Sequence, residues 1–462
     1  DSLTNIEGIK GSTTASNTLI GNNMNNTLIG GNQTDTIKGV SGNNSLSGGA
    51  GDDTIFAGSG SDTIDGGAGN DWLDYTDLAS TNVSVNLRNN TATYGSSTDS
   101  ITAIEHLKMG NGTNTVQGNS YANSFIGGTG TDTLSYSEAA SGVTVNVTSA
   151  GAGTSSGDGA DVFTGFENYI LSGNADTINL NVVHNGSIID GGTGIDTASY
   201  TNVTTALTVT VNSGNTSAIV NDGTNSNTLK NIEKIIGGDG NDTFIVSNVA
   251  GINTLDGDGG TNTLQLSGSL DLSSVTLLNF NNILIANGDT LTVNAVDLSG
   301  KTMNINMLGT GSLIIVSDGS NHNFSNISVT KGTGTVTLDV NINKDISATN
   351  INNIIDKFDV ASGSTLTLSY SQFNGHKGVG TGTLKLSDTS LTGTQIKSVN
   401  DASTNAIDLT NVTTISTATM AEMLEIVNNT GATFTTATNY VVTISDMASP
   451  TDINKVLADT TG

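Results

Sequence analysis

A period of nine residues governs the first part of this chain. In blocks starting at Ser12, Gly21, Gly30, Gly39, Gly48, Ala57 and Gly66, the eighth position is Leu19, Leu28, Ile37, Leu46, Ile55, Ile64 and Leu73. The seventh is Thr18, Thr27, Thr36, Ser45, Thr54, Thr63 and Trp72; the sixth is Asn17, Asn26, Asp35, Asn44, Asp53, Asp62 and Asp71. Columns held in phase over so many blocks mark a repeat architecture. A short strand such as Thr54-Ile55-Phe56 turns its central aliphatic residue inward, and the rest of the block reverses the chain. Two blocks make one coil, so residues 18 apart stack. Stacked coils share a core that no single coil can build. The spacing predicts an all-β solenoid.

The turns between these strands carry chemistry as well as shape. They read Gly48-Gly49-Ala50-Gly51-Asp52-Asp53, Ala57-Gly58-Ser59-Gly60-Ser61-Asp62 and Gly66-Gly67-Ala68-Gly69-Asn70-Asp71. Glycine reaches positive φ without steric cost and lets carbonyl oxygens approach an ion closely. The sixth-position aspartate adds anionic oxygen. Oxygen-only donors in flexible geometry suit calcium, and two same-side turns can complete one shell between them. Asp53 and Asp71 are expected to flank one site with Asp35 adjoining, and Asp62 to lie on the opposite row beside Asn44. The candidate metal residues of this array are Asp35, Gly49, Gly51, Asp53, Gly58, Gly60, Asp62, Gly67, Gly69 and Asp71. Further copies place Gly128, Gly130 and Asp132, then Gly192, Gly194 and Asp196, then Gly238, Gly240 and Asp242 in the same pattern. The competing reading, a tight Gly/Asp loop without an ion, weighs most on those isolated copies.

The motif GGxGxDTUx resembles the RTX nonapeptide of type I-secreted bacterial proteins. That resemblance implies a parallel β-roll filled with several Ca2+ ions and export through a type I machine. The match is close over residues 48–74. It weakens upstream, where Ala15, Met24 and Gln33 replace the fourth-position glycine and Asn17 and Asn26 replace aspartate. Those coils are expected to keep the solenoid but bind metal weakly or not at all.

A longer module overlies the nonapeptide. Calcium-type turns lead into Tyr75, Tyr136 and Tyr200. Alternating strands follow at Val83–Leu87, Val143–Val147 and Leu207–Val211, then the steps Ile104-Glu105, Phe166-Glu167 and Ile232-Glu233. Each module reads as one coil interrupted by a hairpin-like excursion. Residues 1–267 therefore form the solenoid with three such modules. Beyond residue 268 the phase fades, and residues 268–462 read as a β-rich domain with short helices at 350–358, 420–428 and 451–457. Ile6-Glu7 reads as the tail of a preceding module and Ala458–Gly462 is no obvious stop, so the expectation is a section of a longer protein.

Composition narrows the function. Forty-two acidic residues against 14 basic ones give a formal charge of −28, which repels nucleic acid and anionic lipid. No stretch is apolar enough to cross a membrane. There is no cysteine, as suits an exported chain stabilised by metal rather than disulfides. Asp1–Asn5 is polar, so export takes a route without a cleavable leader, or the chain is a trimmed piece. Of His106, His184, His322 and His376, none lies in HExxH. Gly153-Thr154-Ser155-Ser156-Gly157 matches a GxSxG elbow only formally, in a Gly/Ser/Ala loop. Gly378-Val379-Gly380-Thr381-Gly382 follows no βαβ unit. The expectation is a non-enzyme.

The whole resembles RTX-type S-layer proteins of Gram-negative bacteria. That implies an extracellular, cell-surface subunit that self-associates into a lattice, with a polysaccharide anchor outside or at the edge of this chain. The alternatives are a section of a large RTX adhesin and the folding module of a secreted enzyme. No nucleic-acid partner and no membrane insertion are expected.

Overall fold

The nonapeptide columns become the two walls of a parallel β-solenoid. The computed structural model describes residues 7–212, 218–318, 320, 322–340, 344–345, 354–428, 434–436 and 441–444. They fall into two compact units, residues 1–262 and 263–462. In the first unit, Thr27–Gly31, Ser45–Ala50 and Thr63–Ala68 stack in parallel on one wall, with Leu28, Leu46 and Ile64 in register. Thr18–Ile20, Thr36–Lys38, Thr54–Phe56 and Trp72–Asp74 stack on the other, aligning Leu19, Ile37, Ile55 and Leu73. These aliphatic side chains are buried. The flanking residues of each strand face outward, so each coil contributes a core layer only one side chain deep per wall.

The excursions of the three modules stay within the walls. After Tyr75 the chain runs Ser84–Asn86, Thr91–Tyr94 and Ser97–Thr102 as an antiparallel meander. Its last strand lies parallel beside Thr63–Ala68, and its first lies parallel beside Thr115–Gln117. The chain thus jumps ahead and doubles back to fill the rungs it skipped. An odd number of strands keeps its heading, so the parallel coil resumes. The second meander, Thr144–Ser149, Ala152–Ser156 and Val162–Thr164, fills the opposite wall between Thr177–Leu180 and Ser124–Ile126. The third, Thr208–Val211, Ala218–Asn221 and Ser226–Lys230, returns to the first wall. Two of the three meanders thus lie on the first wall and one on the opposite wall.

Each meander opens on a buried tyrosine whose phenol finds a partner inside, as a buried hydroxyl must. Tyr75 donates to Asp99 Oδ2 at 2.9 Å, Tyr136 to Asp161 Oδ2 at 3.0 Å and Tyr200 to Asn227 Oδ1 at 3.1 Å.

The second unit is also a parallel solenoid, a topology its faded sequence phase conceals. Coil length is what changes. Leu291 stands beside Leu313, 22 residues on, and Leu313 beside Val336, 23 on. Leu366 stands beside Leu384, 18 on, and Leu384 beside Ile407, 23 on. The inward positions still align while the connections vary, so no fixed period survives in the sequence. Short helices occupy some of the longer connections. Met420–Asn428 is helical, and so is Gly393–Asp401, where Thr392 and Gln395 form a capping box. Of the helix expected over 350–358, residues 350–353 lie outside the described residues, Ile354 is in a 3-10 turn, and the end of the segment differs. Lys357–Val360 is a strand instead, because Phe358 and Val360 stack in register on Leu338 and Val340. Parallel pairing overrides the local amphipathic pattern there. The helix expected over 451–457 lies outside the described residues.

The stacking gives a direct mutational contrast. Ile55 is fully buried between Ile37 and Leu73. Ile55→Ala should cost the calcium-loaded unit about 2–5 kcal/mol. Ile20, on the outer face at 58% exposure, should change stability by no more than about 0.5 kcal/mol when replaced by Ala. Urea midpoints of the two variants measure the difference; equal losses would contradict the inward and outward assignment.

Candidate calcium-binding turns

Stacking brings each sixth-position side chain against the backbone of the coil before it. Asp35 Oδ1 accepts from Asn17 N at 2.5 Å, Asp53 Oδ1 from Asp35 N at 2.7 Å and Asp71 Oδ1 from Asp53 N at 2.7 Å. On the other row, Asn44 Oδ1 accepts from Asn26 N at 2.9 Å and Asp62 Oδ1 from Asn44 N at 2.7 Å. Farther along, Asp132 Oδ1 accepts from Asn114 N and Asp196 Oδ1 from Asp176 N, both at 2.8 Å. One side-chain oxygen in each of these turns is therefore spent on holding two coils in register.

The other oxygen is left bare. Oδ2 of Asp35, Asp53, Asp62, Asp71, Asp132 and Asp196 is buried and receives no hydrogen bond from a described residue. A buried anionic oxygen without a partner is costly, so the group must be met by a proton or a cation. The surroundings fit a cation held by oxygen. A Cβ built on Gly48 would collide with both Asp53 Oδ2 and the Gly66 carbonyl oxygen, and one on Gly30 with Asp35 Oδ2 and the Gly48 carbonyl oxygen. A carboxylate oxygen of one coil and a carbonyl oxygen of the next thus converge where glycine leaves space. Among the described residues no three acidic or histidine side chains gather to form a metal cluster. The donor set is carboxylate plus main-chain carbonyl, the kind of shell calcium accepts.

The glycines make that approach possible. Gly49 and Gly51 have φ of +108° and +111°, a region that L side chains avoid. Gly58, Gly60, Gly67, Gly69, Gly128, Gly192 and Gly194 occupy equivalent turns. Gly130, Gly238 and Gly240 are constrained differently: a side chain there would strike the carbonyls of Gly112, Val203 and Thr205. Asp242 also differs. Both of its oxygens are engaged, Oδ1 by Leu207 N and Oδ2 by Gly238 N, each at 2.7 Å. Its turn closes on its own carboxylate and leaves no bare oxygen.

Burial pushes the carboxyls of Asp53, Asp62, Asp71 and Asp132 up to about 6 and that of Asp196 to about 7. Neighbouring carboxylates add to the effect: Asp35 and Asp52 for Asp53, Asp99 for Asp62, and Asp176 and Glu233 for Asp196. The backbone N–H on each Oδ1 works in the opposite direction.

Several members of the rows do not follow the 18-residue spacing. Asp62 N donates to Asp99 Oδ1, 37 residues on, and Asn123 N to Asp161 Oδ1, 38 on. The meanders interpose those residues, so a fixed period cannot find them. In Asp99 and Asp161 the second oxygen is satisfied by tyrosine hydroxyl instead of being left bare. Glu105, Glu167 and Glu233 also enter the rows, accepting from the N–H of Asp71, Asp132 and Asp196. The repeated aliphatic-Glu step was their sequence signal.

The formal GxSxG segment is strand, not loop: Gly153, Thr154, Ser155 and Ser156 lie in Ala152–Ser156. Ser155 Oγ donates to Asp161 Oδ2 at 2.9 Å and stands 2.8 Å from Tyr136 Oη, which spends it on core structure. Antiparallel pairing of that stretch with Thr144–Ser149 fixes it there. His106 packs its ring against Trp72, 4.9 Å between centroids, on the adjacent rung.

The chain matches the RTX calcium-binding nonapeptide repeat in four segments, residues 12–46, 38–73, 110–138 and 232–247. No curated protein matches it. The Gly191–Asp196 turn lies outside the matched segments, yet Asp196 has the same bare oxygen. The chain carries RTX repeats on a parallel β-roll, the kind of repeat that typically binds calcium in secreted proteins. No helix among the described residues is long and apolar enough to cross a membrane.

The raised carboxyls fix a pH dependence. A group whose folded value lies above its unfolded one stabilises the calcium-free fold at low pH, and that contribution disappears as pH rises through about 6 to 7. Calcium competes with protons for the same oxygens, so its affinity should rise across that interval and binding should release protons. Calorimetry in buffers of different ionisation enthalpy measures the release. Affinity that is flat across the interval, with no proton release, would contradict the assignment.

Proposed function

We propose that this chain is a calcium-dependent extracellular structural protein, a subunit of a cell-surface S-layer lattice. The observation that carries the reading is the row of bare, buried carboxylate oxygens in a unit whose core is thin. Unpaired carboxylates oppose the stacking that the aliphatic columns favour. Calcium removes that opposition, so ion binding and coil stacking are one equilibrium. Each site filled at 100 times its Kd adds about 2.7 kcal/mol to the folded state. A unit built this way stays loose where calcium is scarce and sets into a rigid stack of coils where calcium is plentiful.

The outer surface supports assembly under the same control. Asp52, Asp65 and Asp77 are exposed, and the chain as a whole carries −28. Like-charged copies repel one another until divalent cations bridge or neutralise them. Folding and lattice growth would then respond to the same ion. An extracellular calcium level would switch on both.

Two measurements test this. Electron microscopy of the purified protein should show ordered two-dimensional sheets after calcium is added and none in chelator. Extended monomers at saturating calcium would sink the lattice and favour a section of an adhesin. Chelation should also abolish the circular dichroism of the first unit before that of the second, since the bare oxygens of the nonapeptide turns lie there. A spectrum unchanged by chelator would refute the calcium linkage itself.

A further inference from the structure

Each meander breaks the 18-residue spacing on which a shared calcium site depends, because the next nonapeptide turn no longer follows one coil later. The chain supplies replacements. Glu105 immediately precedes His106, which pairs with Trp72, so Glu105 occupies the place of the next sixth-position residue after Asp71. Glu167 and Glu233 stand in the same relation to Asp132 and Asp196. In each pair the glutamate Oε2 accepts the aspartate N–H, at 2.9, 2.8 and 2.8 Å. Aspartate does that within the regular array.

The carbonyl half of the site is replaced as well. Two residues before each glutamate, Ala103, Gly165 and Asn231 have φ of +49°, +75° and +50°. A Cβ built on Gly66 would collide with the Ala103 carbonyl oxygen and approach Asp71 Oδ2 at 2.8 Å. On Gly191 it would collide with the Asn231 carbonyl oxygen and approach Asp196 Oδ2 at 2.8 Å, and on Gly127 it would collide with the Gly165 carbonyl oxygen. These carbonyls stand where Gly66 O stands relative to Gly48. The left-handed conformation aims them there, which accounts for alanine and asparagine being held at positive φ. Oδ2 of Asp71, Asp132 and Asp196 is fully buried and receives no hydrogen bond from a described residue.

We infer that Glu105, Glu167 and Glu233, with the carbonyls of Ala103, Gly165 and Asn231, close three calcium sites on Asp71, Asp132 and Asp196 at the meander junctions. The inference rests on the calcium reading of the turns and extends it to residues outside the nonapeptide. Each glutamate takes the aspartate N–H with one oxygen, as aspartate does in the regular array, and the inference gives its other oxygen to the ion. Each module is thereby tied by metal to the turn that precedes it.

The test is calcium stoichiometry of the full chain by equilibrium dialysis. Glu105→Gln, Glu167→Gln and Glu233→Gln keep a carbonyl acceptor for the aspartate N–H but lose the charge. Each should bind one ion fewer, and the triple variant three fewer. A triple variant that binds the parent number would reduce the glutamates to hydrogen-bond caps and overturn the inference. Asp53→Ala separates this from the reading beneath it. Loss of ions in Asp53→Ala with none lost in the glutamate variants sinks only the junction sites; a parent chain that binds no calcium sinks both. The unsubstituted protein gives a second readout that needs no variant to fold. With isotope-labelled glutamate, calcium should shift the glutamate carboxylate stretching bands in the infrared, and bands unmoved by calcium would also overturn the inference.

Discussion

The first unit depends on a carboxylate divided between two tasks. One oxygen of each sixth-position aspartate takes the N–H of the coil before it, fixing register along the stack. In Asp35, Asp53, Asp71 and Asp196 the other points into the space that the first glycine of the turn leaves open, toward a carbonyl of the next coil. The first task resembles ordinary side-chain capping and contributes about 1 kcal/mol per bond. The second leaves a buried charge that no described protein donor meets. A fold with a thicker core could tolerate or avoid it. Here the aliphatic columns are one residue wide, and the charge is repeated at every coil of the array, so the ion decides whether the coils stay together.

The exceptions make the rule clearer. Asp99 and Asp161 sit in the same rows, but Tyr75 and Tyr136 donate to their second oxygens. Asp242 turns its second oxygen to Gly238 N. At these positions both carboxylate oxygens take protein hydrogen bonds. The solenoid therefore alternates between rungs closed by hydrogen bonds and rungs left open for a cation. Within the modules Asp99 and Asp161 take hydrogen bonds on both oxygens, while Asp71, Asp132 and Asp196 at the turns that lead into the meanders each keep one bare.

The second unit reaches the same parallel architecture by different means. Its inward residues align from coil to coil, as Leu291 with Leu313 and Leu366 with Leu384. Its connections vary in length and take up short helices capped by their own side chains, as at Thr392 and Gln395. The bare-oxygen row of the nonapeptide array is a feature of the first unit, where short uniform turns bring carboxylate and carbonyl together.

Much of the first unit was legible in the residues because a strict period is itself a statement about stacking. Leu28, Leu46 and Ile64 recur at 18-residue spacing, and such a recurrence has few spatial solutions; the coil, its inward column and the turn glycines follow from it. What the tertiary structure decided lies where spacing ceases to be constant. The partnership of Asp62 with Asp99 and of Asp71 with Glu105 spans a meander whose strands return to rungs skipped earlier, and local sequence does not encode that return. The strand at Lys357–Val360 was likewise settled by its neighbours, since pairing on Leu338 and Val340 outweighs the amphipathic pattern of the segment alone. Periodic residues declare their neighbours in advance; aperiodic ones acquire them only when long-range hydrogen bonds and shared burial select a register.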